Sequence, residues 1–151
     1  MEAIEVFPVT FSGVRPGEAP AVLALIAEAG LGVKDLDPRK LTHFIVARKG
    51  EAIVGVVGLE PAGECALLRS LAVAASQRRQ TIASRLVRAI EKYAVSRGVA
   101  QVFLLTTSAA DFFLKQGFRH AARGSVPAPI QATEEFRSIC PDSAVCLEKA
   151  F

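Results

Sequence analysis

Between Cys65 and Arg97 the hydrophobic period changes once, from that of a strand to that of a helix, and a basic loop marks the change. Leu67, Leu68, Leu71, Ala72 and Val73 predict a mostly apolar strand, interrupted by Arg69 and Ser70. Ala74 to Thr81 holds two adjacent arginines and no apolar run. From Ile82 the apolar residues recur every four positions (Ile82, Leu86, Ile90). Ala83, Val87 and Ala94 widen that face, and Arg85, Arg88, Glu91 and Lys92 fall on the other. Gly98 suits the left-handed position after the last helical turn. A second buried strand, Ala100 to Thr106, follows, so the strand–helix–strand unit makes the middle of the sheet parallel at one point.

A strand that feeds a helix N-terminus through a basic loop is a place to hold an anion. The first-turn N–H groups have no partner within the helix, and their end of the dipole is positive. Residues 69 to 97 carry seven Arg or Lys against the single acid Glu91, a local +6, while the whole chain is formally +3. The remainder is therefore net acidic, and the basic charge is concentrated beside one loop. With one Tyr and no Trp, stacking on nucleic-acid bases has little material to work with, and no nucleic-acid partner is expected.

At 151 residues and 51% apolar composition, a single domain over 1–151 with a real core is expected. No run approaches 18 apolar residues, and MEAIEVFPV lacks the basic and apolar parts of an export signal. The expectation is a cytoplasmic protein with no membrane partner. Cys65, Cys140 and Cys146 are an odd number without paired short spacing, which reads as free thiols.

Along the rest of the chain, Ile4 to Val9 predicts a first strand and Phe11 to Gly17 a turn-rich stretch. A helix is expected from about Glu18 to Ala29, with Val22, Leu23, Leu25 and Ile26 as its apolar face and Gly30 and Gly32 ending it. Leu31 to Lys40 reads as a loop. Thr42 to Arg48 and Ala52 to Leu59 predict strands joined by a tight hairpin at Lys49-Gly50, and Pro61 to Glu64 turns the chain into the strand at 65–73. Three consecutive strands with short links are antiparallel neighbours. After 106, Ser108 predicts a cap for a helix from Ala109 to Gln116, ended by Gly117; Phe118 to Ala122 starts a strand, Ile130 to Phe136 a short helix, and Ser143 to Leu147 the last strand.

This order of elements, with LRSLAVAASQRRQTIASRLV followed by LLTTSAADFFLKQGF, resembles the GNAT superfamily of N-acetyltransferases. Within it the chain is most similar to the N-acetylglutamate-synthase-like branch. It is more similar still to small acetyltransferases linked to arsenic resistance, through LLRSLAV, the LLTT…FF…GF pattern and CP-x-SAVC. The resemblance implies a mixed, mostly antiparallel twisted sheet flanked by helices, and acetyl transfer from acetyl-CoA directly to the primary amine of a small, carboxylate-bearing molecule. It implies that the backbone of Leu71, Ala72 and Val73 pairs with the pantetheine arm, and that N–H groups of Leu71 to Val73 polarise the thioester. It also implies that the N–H groups of Arg78, Arg79, Gln80, Thr81, Ile82 and Ala83 hold the pyrophosphate. A homodimer through the C-terminal strand region is an arrangement of the superfamily.

The departures from the family pattern bear on chemistry. Arg79 and Thr81 stand where glycines are usual; Arg79 keeps the N–H and adds charge, and Thr81 adds a hydroxyl for a phosphate or a cap. The position of a thiolate-protonating tyrosine holds Phe113, and Leu67 occupies the place of a frequent acid. With neither group present, proton removal is expected to run through water.

Two readings of Arg69 stand side by side: a clamp on a substrate carboxylate, or a buried ion pair with Glu60 or Glu64. Thr106 and Thr107, at a parallel strand end, read as substrate contacts or as strand formers and helix caps. Phe112 and Phe113 read as core, with one edge on the coenzyme channel, and Cys140 as a substrate contact. His43 and His120 lack partners at metal-ligand spacing, so no metal is expected. An acetyl-CoA-binding sensor without activity, and an enzyme acting on a protein or peptide amine, remain the alternatives.

Overall fold

The computed structural model describes residues 8–78, 81–139 and 143–151. Seven strands form one sheet in the order β1-β2-β3-β4-β5-β7-β6. They are β1 (Val9–Gly13), β2 (Phe44–Lys49), β3 (Ala52–Ala62), β4 (Cys65–Val73), β5 (Gln101–Thr106), β6 (Arg119–His120) and β7 (Val145–Ala150). All neighbours are antiparallel except β4 and β5. The helices are α1 (Ala19–Glu28), α2 (Ile82–Ser96), α3 (Ala110–Lys115) and α4 (Ala128–Gln131), and a π-helical turn spans Glu135–Ile139. This is the mixed, mostly antiparallel arrangement that the resemblance implies, with its one parallel pair where the strand–helix–strand unit predicts it. No helix among the described residues is long and apolar enough to cross a membrane.

Strands β2, β3 and β4 follow one another through two-residue turns, Gly50-Glu51 and Gly63-Glu64. The glycines sit at φ 64° and 69°, where an L side chain would be strained. The first strand is a correction. The described strand is Val9–Gly13, inside the stretch read as turn-rich, and residues 4–7 lie outside the described part. Tertiary pairing overrides the turn composition: Thr10 to Gly13 pair with Arg48 to Ile45. The buried Arg48 guanidinium donates to Ser12 Oγ and the Gly13 carbonyl, and pairs with Glu18 at the start of α1. The last strand likewise runs later than its alternation suggests, to Ala150, because Gln101 to Thr106 pair with Ala150 to Val145.

Three apolar clusters hold the sheet. On one face α2 buries Ile82, Leu86, Val87, Ile90 and Ala94 against β3, β4 and β5 together with Phe113 and Phe118. The opposite face carries two separate clusters. One joins α1 (Val22, Ile26) to Phe44, Val46, Val56 and Ala72; the other joins Leu67, Phe103 and Leu105 to Ile130 and Phe136. Leu67 and Ala72 belong to different clusters, and Arg69 lies between them on β4. It is at this seam that the site forms.

Candidate active site

A bulge in β4 opens the site. Val56 pairs with Ala72 and Gly58 with Arg69, so Ser70 and Leu71 together oppose Val57. Ser70 takes φ 60°, the only positive φ on a non-glycine among the described residues. The extra residue bends β4 away from β5. Their parallel pairing covers only Cys65 to Leu67 against Gln101 to Phe103, and beyond it the strands diverge. The gap is a cleft of about 210 Å³, walled by Leu68 to Leu71 on one side and Leu104 to Ala109 on the other, and bounded by Ala29 to Gly32, Phe113 and Glu135.

The divergence leaves backbone groups of β4 facing the cleft. The Ala74 N–H donates to the Val54 carbonyl on β3. Strand alternation turns Ala72 the same way and directs the N–H groups of Leu71 and Val73 to the side from which β5 has withdrawn. At the far end of β4 the Arg78 Nε donates to the Val73 carbonyl at 3.2 Å. Thr81 is the N-cap of α2, and its hydroxyl caps nothing. The first-turn N–H groups of Ile82, Ala83 and Ser84 have no partner within the helix. Ile82 itself is buried in the core, so only its backbone is offered to a ligand. Gln77, just before this loop, has a buried Oε1 without a hydrogen-bond partner among the described residues. Arg79 and Gln80 lie outside the described residues, as does Cys140.

Arg69 is fully buried and anchors the seam. Its fork meets Asp35 at 2.6 and 2.9 Å and Glu60 at 2.5 Å; the Nε donates to Ser70 Oγ at 3.1 Å, and Glu135 lies 3.5 Å away. A longer contact, 3.4 Å, reaches the Gly32 carbonyl. The ion pair with Glu60 is thus present, that with Glu64 is not, and Asp35 and Glu135 join it without having been anticipated. Burial works against the guanidinium's charge, but its hydrogen bonds to Asp35 and Glu60 and the negative charges of Glu135 and Asp35 more than offset it and hold Arg69 cationic. Asp35 is also partly desolvated, yet Arg69 and Lys40 keep its carboxyl below the usual range. Glu135 differs: burial pushes its carboxyl up to about 7, Arg69 opposes this, and the charges of Glu60 and Asp35 add to it. Plain strand alternation would put Ser70 on the face opposite Arg69; the bulge brings it to Arg69's side.

The strand-end threonines part company. Thr106 Oγ1 accepts from the N–H groups of Ala109 (2.9 Å) and Ser108 (3.4 Å), so it, and not Ser108, caps the turn into α3. Thr107 is exposed at the cleft mouth. Phe113 is buried and lines the cleft; Phe112 packs edge-on against it and stays off the wall. Leu67 is sealed in the core, opposite Glu60 on β3. Carboxylates reach Arg69 from a neighbouring strand, at Glu60, and from a distant turn, at Glu135. Tyr93 hydrogen-bonds His43 at 2.5 Å and does not line the cleft. Among the described residues no group of His, Cys, Asp and Glu is placed to hold a metal.

Residues 10–118 match the Acetyltransferase (GNAT) family. The chain belongs to this family. Its fold is similar to that of N-acetylglutamate synthase from Neisseria gonorrhoeae complexed with coenzyme A and N-acetyl-glutamate, with a TM-score of 0.83 and 21% identity over 99% of this chain and 36% of that one. The chain therefore spans little more than a third of that synthase. A Mycobacterium tuberculosis protein in complex with CoA gives 0.79 at 18% identity, covering 94% of this chain and 99% of the other. Naa50 of Arabidopsis thaliana, in complex with the bisubstrate analogue CoA-Ac-MVNAL, gives 0.68 at 16% identity, covering 95% and 99%. At these identities the likeness is one of fold.

Proposed function

We propose that this protein is an acetyl-CoA-dependent N-acetyltransferase acting on the primary amine of a small molecule. The reading is supported by the bulged β4, whose edge lines the cleft at Leu68 to Leu71 and whose chain runs on through the basic loop to the N-terminus of α2. A pantetheine arm pairs along that edge as a missing strand would. The amides of residues 78 to 83 hold the pyrophosphate, with Ile82 and Ala83 giving backbone only. In the cleft, N–H groups at Leu71 and Val73 polarise the thioester carbonyl as the amine attacks. Phe113 gives this pocket an apolar wall.

Transfer is direct. Cys146 is buried in β7, where desolvation raises its thiol, and neither Cys146 nor the half-buried Cys65 lines the cleft. The closing segment Ala29 to Gly32 favours a small acceptor over the peptide amine that an open groove would take. For an acceptor that bears a carboxylate, as the resemblance to the arsenic-resistance-linked enzymes suggests, Arg69, on the cleft wall beside Glu135, is the cation that the carboxylate meets. Thr107, exposed at the mouth, meets the same substrate in this reading.

Calorimetric titration tests the cofactor half of this reading. Acetyl-CoA should bind, and Arg79→Glu should weaken it, more so at low salt because exposed phosphate contacts are screened. Unchanged affinity in the variant would remove the loop before α2 from the site.

A further inference from the structure

Of the described residues that line the cleft, two ionise: Arg69 and Glu135. Arg69 is held as a cation by Asp35 and Glu60. Glu135 is thus the one described group on the wall able to take a proton near neutrality. Its side chain is 8% exposed, so it is dry enough to prefer neutrality yet is not locked by a short hydrogen bond to the guanidinium. Its position is fixed from outside the site: Phe136, the next residue, is buried with Ile130 and Cys146, and Arg123 lies 5.3 Å over the Phe136 ring. The Arg137 N–H donates to the Thr133 carbonyl and closes the turn beneath it.

We propose that Glu135 is the catalytic proton acceptor of the transfer, receiving a proton from the substrate ammonium inside the cleft. The proposal rests on the acetyltransferase reading above. An ammonium gives one N–H proton to the Glu135 carboxylate, and the freed lone pair forms the C–N bond at the thioester carbonyl. The C–S bond then breaks, the thiolate carries off the electron pair, and it takes the second proton shed by nitrogen through water. Glu135 later returns its proton to solvent. Arg69 is a positioning residue: it fixes the carboxylate without a tight fork, and Asp35 and Glu60 satisfy its charge, so that Glu135 does not become a permanent ion-pair partner. The charged groups facing Glu135 are Arg69 from β4, Glu60 from β3 and Asp35 from the loop after α1, with Lys40 behind Asp35 at 3.1 Å.

The test is kcat/KM against pH for the wild type and Glu135→Gln, with acetyl-CoA and an amine that the wild type acetylates. Melting temperature is the control for folding, and KM for acetyl-CoA the control for the cofactor site. In the wild type, activity should rise with pH through about 7, as the carboxyl ionises. The variant should lose about 100-fold or more and lose that limb of the profile, with an unchanged KM for acetyl-CoA. Glu135→Asp, which keeps the base but shortens its reach, should restore the limb with a lower plateau. A variant that keeps both rate and limb overturns the assignment while leaving the acetyltransferase reading intact. If the wild type binds acetyl-CoA but acetylates no amine, the transfer reading fails and the assignment falls with it.

Discussion

Arg69 is the residue on which one face of the sheet depends. It lies where the α1 cluster and the Phe136 cluster fail to meet, and three carboxylates converge on it from three separate segments. A buried cation with such partners contributes less than its Coulomb attraction suggests, but removing it strands the acids. Arg69→Leu should therefore lower unfolding free energy by about 3–5 kcal/mol, measured by urea denaturation. Arg69→Lys keeps the charge and loses the fork, and it separates structure from recognition. On an amino acid and the matching amine without the carboxylate, a direct role in substrate binding predicts a far larger loss of kcat/KM for the amino acid. Equal losses on both would confine Arg69 to holding the fold and positioning Glu135. The sequence marks Arg69 as special, since a lone arginine among leucines in a strand needs a partner. It could not single out Asp35 or Glu135, because loop composition says nothing about which turn packs over which strand.

At the scale of elements, the bulge at Ser70 is the feature from which the cleft follows. Alternation and turn chemistry made β2 to β5 and α2 legible, since each carries its period along its own stretch, and a glycine follows β2, β3 and α2 at Gly50, Gly63 and Gly98. The bulge has no such local mark. It exists because β4 must satisfy one register with β3 before residue 70 and another after it, and the backbone absorbs the difference at a serine with φ 60°. The side chain finds Arg69 Nε there, which offsets part of the strain. Ser70→Gly should therefore be tolerated within about 1 kcal/mol. Ser70→Val, β-branched at positive φ and without the hydroxyl, should cost about 1–3 kcal/mol and weaken acetyl-CoA binding as well as stability. If Ser70→Val binds acetyl-CoA as the wild type does, the bulge is not what shapes the cofactor edge. The shift of β1 to Val9–Gly13 has a related origin: its register is set by Arg48, distant in sequence and paired with Glu18, rather than by its own turn-forming composition.

Across the whole molecule the sheet is two halves that share only a short parallel seam between β4 and β5. The halves are tied on the α2 face by one apolar cluster. Lys149 of β7 adds to this, bonding Glu91 of α2 at 2.9 Å and the Gln116 carbonyl at the end of α3 at 2.8 Å. Where the parallel seam ends, the two halves stay apart, and the gap holds both a strand edge that β5 leaves unpaired and a carboxyl of shifted acidity. A fold that only needed stability would close this gap with side chains. Keeping it open is understandable if an acetyl thioester lies along the edge and an amine approaches from the Glu135 end. The most direct measurement is thiol release from acetyl-CoA by the purified protein across a panel of small amines and amino acids, with the N-acetylated product identified by mass. The predicted result is amine-dependent thiol release, matched one to one by N-acetyl product, with no acetylated cysteine on the protein. Binding of acetyl-CoA without thiol release on any amine would contradict it, and would make the chain a coenzyme-binding member of its family without transfer activity.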